Sequence, residues 1–227
     1  MAFLRLILVS AILVIGGLLF VANYSPEETP GAPVPRVLFV GNSLTMGHNV
    51  PGRMANKALE DGVRVDVRML ARGGAYLKDW ADDPQLIDAL TNGNWDVVVL
   101  QDNSKAALKM EFRLASRQAV SKIALMAGDA RLVLSSTWPA AEGHAIYSDD
   151  WWGRDKPENP KQFADRTAQH YQNVGVDLGI QVAPITEVWM QSPDRIELYH
   201  PDKVHASAQG ADLAAAVLWM TIRQALD

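Results

Sequence analysis

The sequence contains no cysteine. This absence excludes disulfide bonds, a thiolate nucleophile and zinc sites with cysteine ligands, so any catalysis must rest on serine, histidine and carboxylate side chains. The chain also lacks an excess of positive charge, because 21 Lys and Arg residues face 26 Asp and Glu residues and the formal net charge is -5. No stretch is dominated by Lys or Arg, and we therefore expect no nucleic-acid partner.

Several site signatures are also missing. A phosphate-binding loop needs Gly-Lys-Ser/Thr, but Gly47 is followed by His48. The serine elbow of α/β-hydrolases needs glycine two residues after the serine, where Thr45 follows Ser43. Four histidines lack partners at metal-ligand spacing and are expected to be surface or structural residues: His48, His144, His170 and His200. We expect neither a metal nor another cofactor.

The first 35 residues differ from the rest of the chain. Arg5 precedes an uncharged apolar run from Leu6 to Ala22, which would span about 26 Å as a helix and is followed by acidic residues. This pattern predicts a signal-anchor or signal peptide over residues 1–22 and a Pro-rich tether over residues 23–35. The charge asymmetry favours a membrane-anchored protein with its domain outside the cytoplasm, on the periplasmic or cell-surface side. Secretion after signal cleavage is the alternative.

Residues 36–227 have the composition of one globular domain, in which short apolar runs alternate with helical patterns. The predicted strands are Val37 to Val40, Val63 to Leu70, Trp95 to Leu100, Leu132 to Ser135 and Ile180 to Val182. The clearest predicted helices cover residues 105–128, 161–178 and 207–226. Continuous Val and Leu runs suit parallel strands buried on both faces, so we expect a three-layer α/β/α domain with a mainly parallel five-stranded sheet of the flavodoxin-like type.

Small or polar residues follow the ends of three predicted strands. Ser43 comes after the first strand, Gly73 and Gly74 after the second, and Asn103 after the third. Because ligands bind outside the carboxyl ends of parallel strands, these residues should converge in one crevice.

The segment Asp202-Lys203-Val204-His205 supplies what a serine nucleophile needs. An imidazole must accept the hydroxyl proton, and a carboxylate must fix the tautomer of that imidazole and stabilise its charged form. Asp202 and His205 can do both from one turn. A plain helix N-terminus would be the other explanation of this aspartate.

Ser43, Gly74, Asn103 and the Asp202-x-x-His205 pair occur in the order of the four motif blocks of the SGNH, or GDSL, hydrolase family, which the chain resembles from Val37 to its C-terminus. This resemblance implies that Ser43 is the nucleophile, His205 the base and Asp202 the orienting carboxylate. It also implies an oxyanion hole made by the backbone N–H groups of Ser43 and Gly74 and the Asn103 amide, with Gly73 the less favoured register.

The chain departs from the family pattern at two of these blocks. Asn42 stands where Asp is common, and Gln101 and Ser104 replace the usual Gly and Asp. We expect these changes to alter the shape of the pocket rather than the reaction. A long stretch punctuated by Gly and Pro runs from Trp138 to Pro160, between a predicted strand and a predicted helix. Because long loops commonly bind ligands, we expect Trp138, Trp151 and Trp152 to contribute to substrate binding, with plain packing as the alternative.

The sequence therefore predicts a serine esterase that acts through an acyl-enzyme on small acyl esters, such as O-acetyl groups of carbohydrates, or on lipid esters. Its partners would be a small-molecule or glycan ester and, through the N-terminal segment, a membrane. A catalytically inactive carbohydrate-binding protein with the same fold and a membrane-held scaffold are the alternatives.

Overall fold

A five-stranded parallel sheet forms the centre of the domain. The computed structural model describes residues 33–227, so the predicted segment 1–22 and nearly all of the tether 23–35 lie outside the described residues. The strands are β1 (Arg36–Gly41), β2 (Asp66–Ala71), β3 (Val97–Leu100), β4 (Arg131–Ser135) and β5 (Gln181–Ala183). Their spatial order is β2-β1-β3-β4-β5, and all four pairings are parallel. This arrangement confirms the predicted α/β architecture.

The central strands are buried on both faces. In β1, Val37 and Phe39 pack into the core on one side of the sheet, whereas Leu38 and Val40 pack into the core on the other side. The Val97-Val98-Val99-Leu100 run of β3 alternates in the same way. Because successive side chains of a strand point to opposite faces, an unbroken apolar run can fill two cores at once.

Helices cover both faces of the sheet. The α-helices are α1 (Ser43–Met46), α2 (Val50–Glu60), α3 (Leu77–Trp80), α4 (Pro84–Asn92), α5 (Met110–Met126), α6 (Pro160–Leu178), α7 (Ile185–Gln191) and α8 (Ala208–Leu226). The core on one face is completed by α2, α7 and α8, and the core on the other by α3, α4, α5 and α6. None of the helices within residues 33–227 has the length and apolar character needed to cross a membrane.

The structure corrects several predicted boundaries. The helix expected over residues 105–128 is divided, because Lys109 is extended and separates a 3-10 turn at Ser104–Ala107 from α5. The edge strand β2 begins at Asp66, three residues later than the apolar pattern suggested. The long stretch 138–160 contains two 3-10 helices, Ala145–Tyr147 and Asp150–Asp155, above a small core of its own.

Candidate active site

Ser43 stands at the first position of α1, directly beyond the carboxyl end of β1. Asn42 caps this helix, since its Oδ1 accepts a hydrogen bond of 3.0 Å from the Leu44 N–H. Gly41 is needed at the end of the strand because a Cβ atom there would lie 2.3 Å from Thr45 Oγ1. The tight turn leaves Ser43 partly exposed while its neighbours are buried.

Asn42 and Gln101 hold this turn in place through hydrogen bonds. The Asn42 amide donates to the Ala75 carbonyl at 3.0 Å, which links the serine turn to the loop after β2. Gln101 is buried, and its Oε1 accepts from the Asn42 N–H at 3.1 Å and from the Thr45 hydroxyl at 2.7 Å. The Gln101 side chain is therefore buried and bonded to the residues that flank Ser43 and Leu44.

The structure brings Ser43, His205 and Asp202 together. His205 Nε2 lies 2.9 Å from Ser43 Oγ, and His205 Nδ1 lies 2.7 Å from Asp202 Oδ2. Ser43 and His205 are 162 residues apart in the sequence. They meet in space because α8, which follows His205, packs beside α2, which follows Ser43. The three groups form a continuous chain of hydrogen bonds from alcohol to imidazole to carboxylate, which is the geometry of a serine nucleophile with its base.

The surroundings of Asp202 keep it ionised. Burial would raise its pKa, but hydrogen bonds from the Val204 N–H, the His205 imidazole and the His205 N–H outweigh burial and hold the pKa well below the ordinary value of 3.8. His200 brings a second imidazole nitrogen to 3.2 Å from Asp202 Oδ2. A permanently charged carboxylate can stabilise the protonated form of His205 as it appears during reaction.

Trp138 holds the turn that carries Asp202 and His205. Its Nε1 donates a hydrogen bond of 2.8 Å to the Val204 carbonyl, and its ring stacks on Trp189 with 4.3 Å between ring centroids. Trp138 is only 4% exposed, so the substrate contact predicted for it from the sequence does not fit its position. Its hydrogen bond instead fixes the orientation of the peptide between Val204 and His205.

Gly74 and Asn103 lie next to each other across the ends of β2 and β3. Asn103 Nδ2 donates to the Gly74 carbonyl at 2.9 Å, and its Oδ1 accepts from the Lys105 N–H, so the amide orientation is fixed. The amide carries a second hydrogen that stays available to a ligand. Gly74 has a φ of +70°, which favours glycine and distinguishes it from Gly73, whose φ is not positive.

The backbone N–H groups needed for an oxyanion site are free. Within residues 33–227, neither the Ser43 N–H nor the Gly74 N–H has a hydrogen-bond acceptor. Free backbone N–H groups and a fixed side-chain amide are the kinds of donor that stabilise an oxyanion.

The remaining two tryptophans of the long loop differ from each other. Trp152 is buried in the small core beneath the loop, with Leu108 and Phe163. Trp151 is 61% exposed, its ring lies against Phe112, and the Lys109 ammonium sits 3.6 Å from its ring centroid. Phe112 in turn contacts Tyr76, two residues after Gly74. Of the three tryptophans, Trp151 alone offers a ring surface to a ligand.

Three residues support the site in ways that sequence patterns did not reveal: Gln101 and Trp138, for which the sequence suggested other roles, and Asp102, which it did not single out. Each is buried, and burial follows from tertiary contacts that a single sequence does not display. For Asp102 the only signal was a carboxylate placed directly before Asn103 at the end of an apolar strand. Among residues 33–227, no group of three or more His, Asp or Glu side chains is arranged to hold a metal ion.

Solved structures similar to this chain come from several bacteria. A protein from Slackia heliotrinireducens assigned to the SGNH hydrolases is 29% identical, with a TM-score of 0.70 over 84% of this chain and 100% of its own. A lipase/acylhydrolase from Enterococcus faecalis is 16% identical, with a TM-score of 0.64 over 85% of this chain and 97% of its own.

An acetyl xylan esterase, AlAXEase, is 17% identical, with a TM-score of 0.58 over 82% of this chain and 99% of its own. No protein-family model matches the sequence, and no curated protein matches it. The similarity is therefore one of structure, and it extends over more than four fifths of this chain in each of these three comparisons. The chain has the fold of the SGNH, or GDSL, hydrolases, which confirms the predicted resemblance at the level of the fold.

Proposed function

We propose that this protein is a serine ester hydrolase that works through an acyl-enzyme. The observation that carries the proposal is the unbroken hydrogen-bond chain from Ser43 Oγ to His205 Nε2 at 2.9 Å and from His205 Nδ1 to Asp202 at 2.7 Å. It is supported by the free N–H groups of Ser43 and Gly74 beside it.

In the first half-reaction Ser43 Oγ attacks the ester carbonyl carbon while its proton moves to His205 Nε2. The carbonyl oxygen becomes an oxyanion, which accepts hydrogen bonds from the Ser43 and Gly74 N–H groups and the Asn103 amide. Collapse of this intermediate breaks the bond to the leaving alcohol, which takes the proton from His205. The acyl group stays on Ser43.

In the second half-reaction water attacks the acyl carbon and gives its proton to His205. The bond to Ser43 Oγ then breaks, the oxygen recovers its proton, and the carboxylic acid leaves. Asp202 remains ionised in both steps and holds the His205 N–H on Nδ1. Because His205 must be neutral to accept a proton, acidification that protonates it should abolish activity.

A Ser43→Ala variant tests this proposal. It should lose nearly all hydrolysis of nitrophenyl acetate, with thermal stability retained, because Ser43 is partly exposed and its hydroxyl is hydrogen-bonded only to His205 among residues 33–227. Ser121→Ala, on α5, is the matched control and should keep full activity. Undiminished turnover by the Ser43 variant would refute the proposal.

For the substrate we propose a small acyl ester, such as an O-acetyl group, on a carbohydrate or a lipid. The similar acetyl xylan esterase and lipase/acylhydrolase support this range. The exposed Trp151 ring favours a carbohydrate, since sugar rings stack on aromatic faces. Trp151→Ala should raise KM for acetylated glycans and leave nitrophenyl acetate hydrolysis unchanged, and equal effects on both esters would argue against a sugar contact.

The alternative, a carbohydrate-binding protein without turnover, has only the Trp151 surface in its favour. It predicts glycan binding with no hydrolysis of any ester. The N-terminal sequence supports a further proposal, that the domain works outside the cytoplasm, tethered to a membrane or released by cleavage. Cell fractionation of the full chain, with detection of residues 36–227, tests it.

A further inference from the structure

Asp102 is a buried carboxyl group that the proposed reaction does not use. It lies two residues beyond the end of β3 and is 1% exposed. Its Oδ1 accepts two backbone hydrogen bonds, from the Leu77 N–H at 2.9 Å and from the Asn103 N–H at 2.7 Å. Its own N–H donates to the Tyr171 hydroxyl at 3.2 Å.

The two donors to Oδ1 belong to different loops of the candidate oxyanion site. Leu77 begins α3 and ends the loop that carries Gly74, while Asn103 is itself the third proposed donor. One oxygen atom thus joins the loop after β2 to the end of β3. Together with the bond from the Asn103 amide to the Gly74 carbonyl, it fixes both loops relative to each other.

A negative charge at Asp102 would work against the site. Asp102 Oδ2 is buried and has no hydrogen-bond partner among residues 33–227, and an ionised oxygen in that state is costly. The charge would also lie one residue from Asn103 and would oppose the developing oxyanion. A proton on Oδ2 removes both difficulties.

The neighbouring groups suit a neutral acid. Burial raises the pKa of Asp102, and the hydrogen bonds that its Oδ1 accepts from the Leu77 and Asn103 N–H groups counter that rise only in part. The negative charge of Asp79 raises the pKa further.

We propose that Asp102 is a positioning residue, a neutral carboxylic acid whose Oδ1 clamps together the two loops that supply the Gly74 and Asn103 oxyanion donors. The inference rests on the proposed function, because it concerns the same oxyanion site. Asparagine should replace Asp102 well, since its oxygen can accept the same two N–H groups without a charge.

Steady-state hydrolysis of nitrophenyl acetate by Asp102→Asn and Asp102→Ala tests the proposal. The Asn variant should keep kcat close to that of the unaltered protein. The Ala variant should lose about 10-fold to 100-fold in kcat with little change in KM, because the donors shift relative to the transition state. Ser136→Ala is the matched control, since Ser136 is also buried and joins two segments, donating to the Ala183 carbonyl and accepting from the Thr186 N–H.

The inference is overturned if folded Asp102→Asn loses as much kcat as Asp102→Ala, or if Asp102→Ala loses no more kcat than Ser136→Ala. If Asp102→Ala does not fold, infrared difference spectroscopy decides the matter. The stretch of a protonated carboxylic acid should be present at pH 7 and vanish in Asp102→Asn, and its absence from the unaltered protein overturns the inference. Retained activity in Ser43→Ala would instead refute the proposed function itself, whatever the Asp102 variants do.

Discussion

One prediction concerns the hydrogen bond by which Trp138 holds the turn that carries Asp202 and His205. Trp138→Phe keeps an aromatic ring to stack on Trp189 but removes the Nε1–H that donates to the Val204 carbonyl at 2.8 Å. The peptide that follows this carbonyl carries the His205 N–H, which donates to Asp202 Oδ1 at 2.9 Å. Loss of this hydrogen bond should therefore shift His205 relative to Asp202.

The expected losses of stability and activity follow from the hydrogen bond between Trp138 and Val204. A polar group left without its partner costs about 1–3 kcal/mol, and because the Val204 carbonyl is only half-buried we expect about 1–2 kcal/mol for Trp138→Phe. Since about 1.4 kcal/mol corresponds to a tenfold change in rate, misplacement of His205 should lower kcat/KM about tenfold. Thermal unfolding measures the first effect, and steady-state ester hydrolysis measures the second.

Trp189→Phe is the matched control within the same stacked pair. Trp189 is fully buried and its Nε1 has no acceptor among residues 33–227, so this change removes ring area but no hydrogen bond. We expect it to lower stability through packing and to leave kcat nearly unchanged. Equal losses of kcat in Trp138→Phe and Trp189→Phe would show that the hydrogen bond to Val204 is irrelevant to catalysis.

Two further predictions concern Asp202 and His170. Asp202→Asn should lower kcat by about four orders of magnitude with the fold intact, because His205 loses the partner that fixes its tautomer, and a loss below tenfold in steady-state assays would contradict that role. Burial, with a contribution from Arg113, lowers the pKa of His170 to about 4. In the unfolded chain this histidine takes up a proton near pH 6.5, whereas in the folded protein it stays neutral until about pH 4. The free energy of unfolding should therefore decrease as pH falls below about 6.5, by about 3 kcal/mol in total once pH is below 4. Denaturant titrations of His170→Gln should show a weaker loss of stability on acidification, and an unchanged pH dependence would refute this explanation.

Local patterns were sufficient to predict the sheet and the side chains that meet at its edge. The Val and Leu runs of β1 and β3 predicted buried parallel strands, and the carboxyl ends of such strands had to gather Ser43, Gly74 and Asn103 at one edge of the sheet. The spacing of Asp202 and His205 is a property of a single turn, which sequence displays directly.

Features that depend on long-range packing could not be predicted in this way. Sequence alone does not distinguish the three tryptophans of the long stretch. In the structure Trp138 is bonded to the turn that carries His205, Trp151 is exposed, and Trp152 fills a small core. Lys109 interrupts an otherwise continuous helical pattern before α5. Gln101 appeared to intrude on the pocket, whereas its burial turns it into a support for Asn42 and Thr45.

The central claim is that Ser43 is a nucleophile activated by His205. Peptide mass spectrometry after treatment with a fluorophosphonate probe tests it most directly, with Ser43→Ala and His205→Ala treated in parallel. We predict one covalent adduct, on Ser43, that is lost in Ser43→Ala and forms far more slowly in His205→Ala. An adduct on a different serine, or labelling of Ser43 at the same rate without His205, would contradict the account.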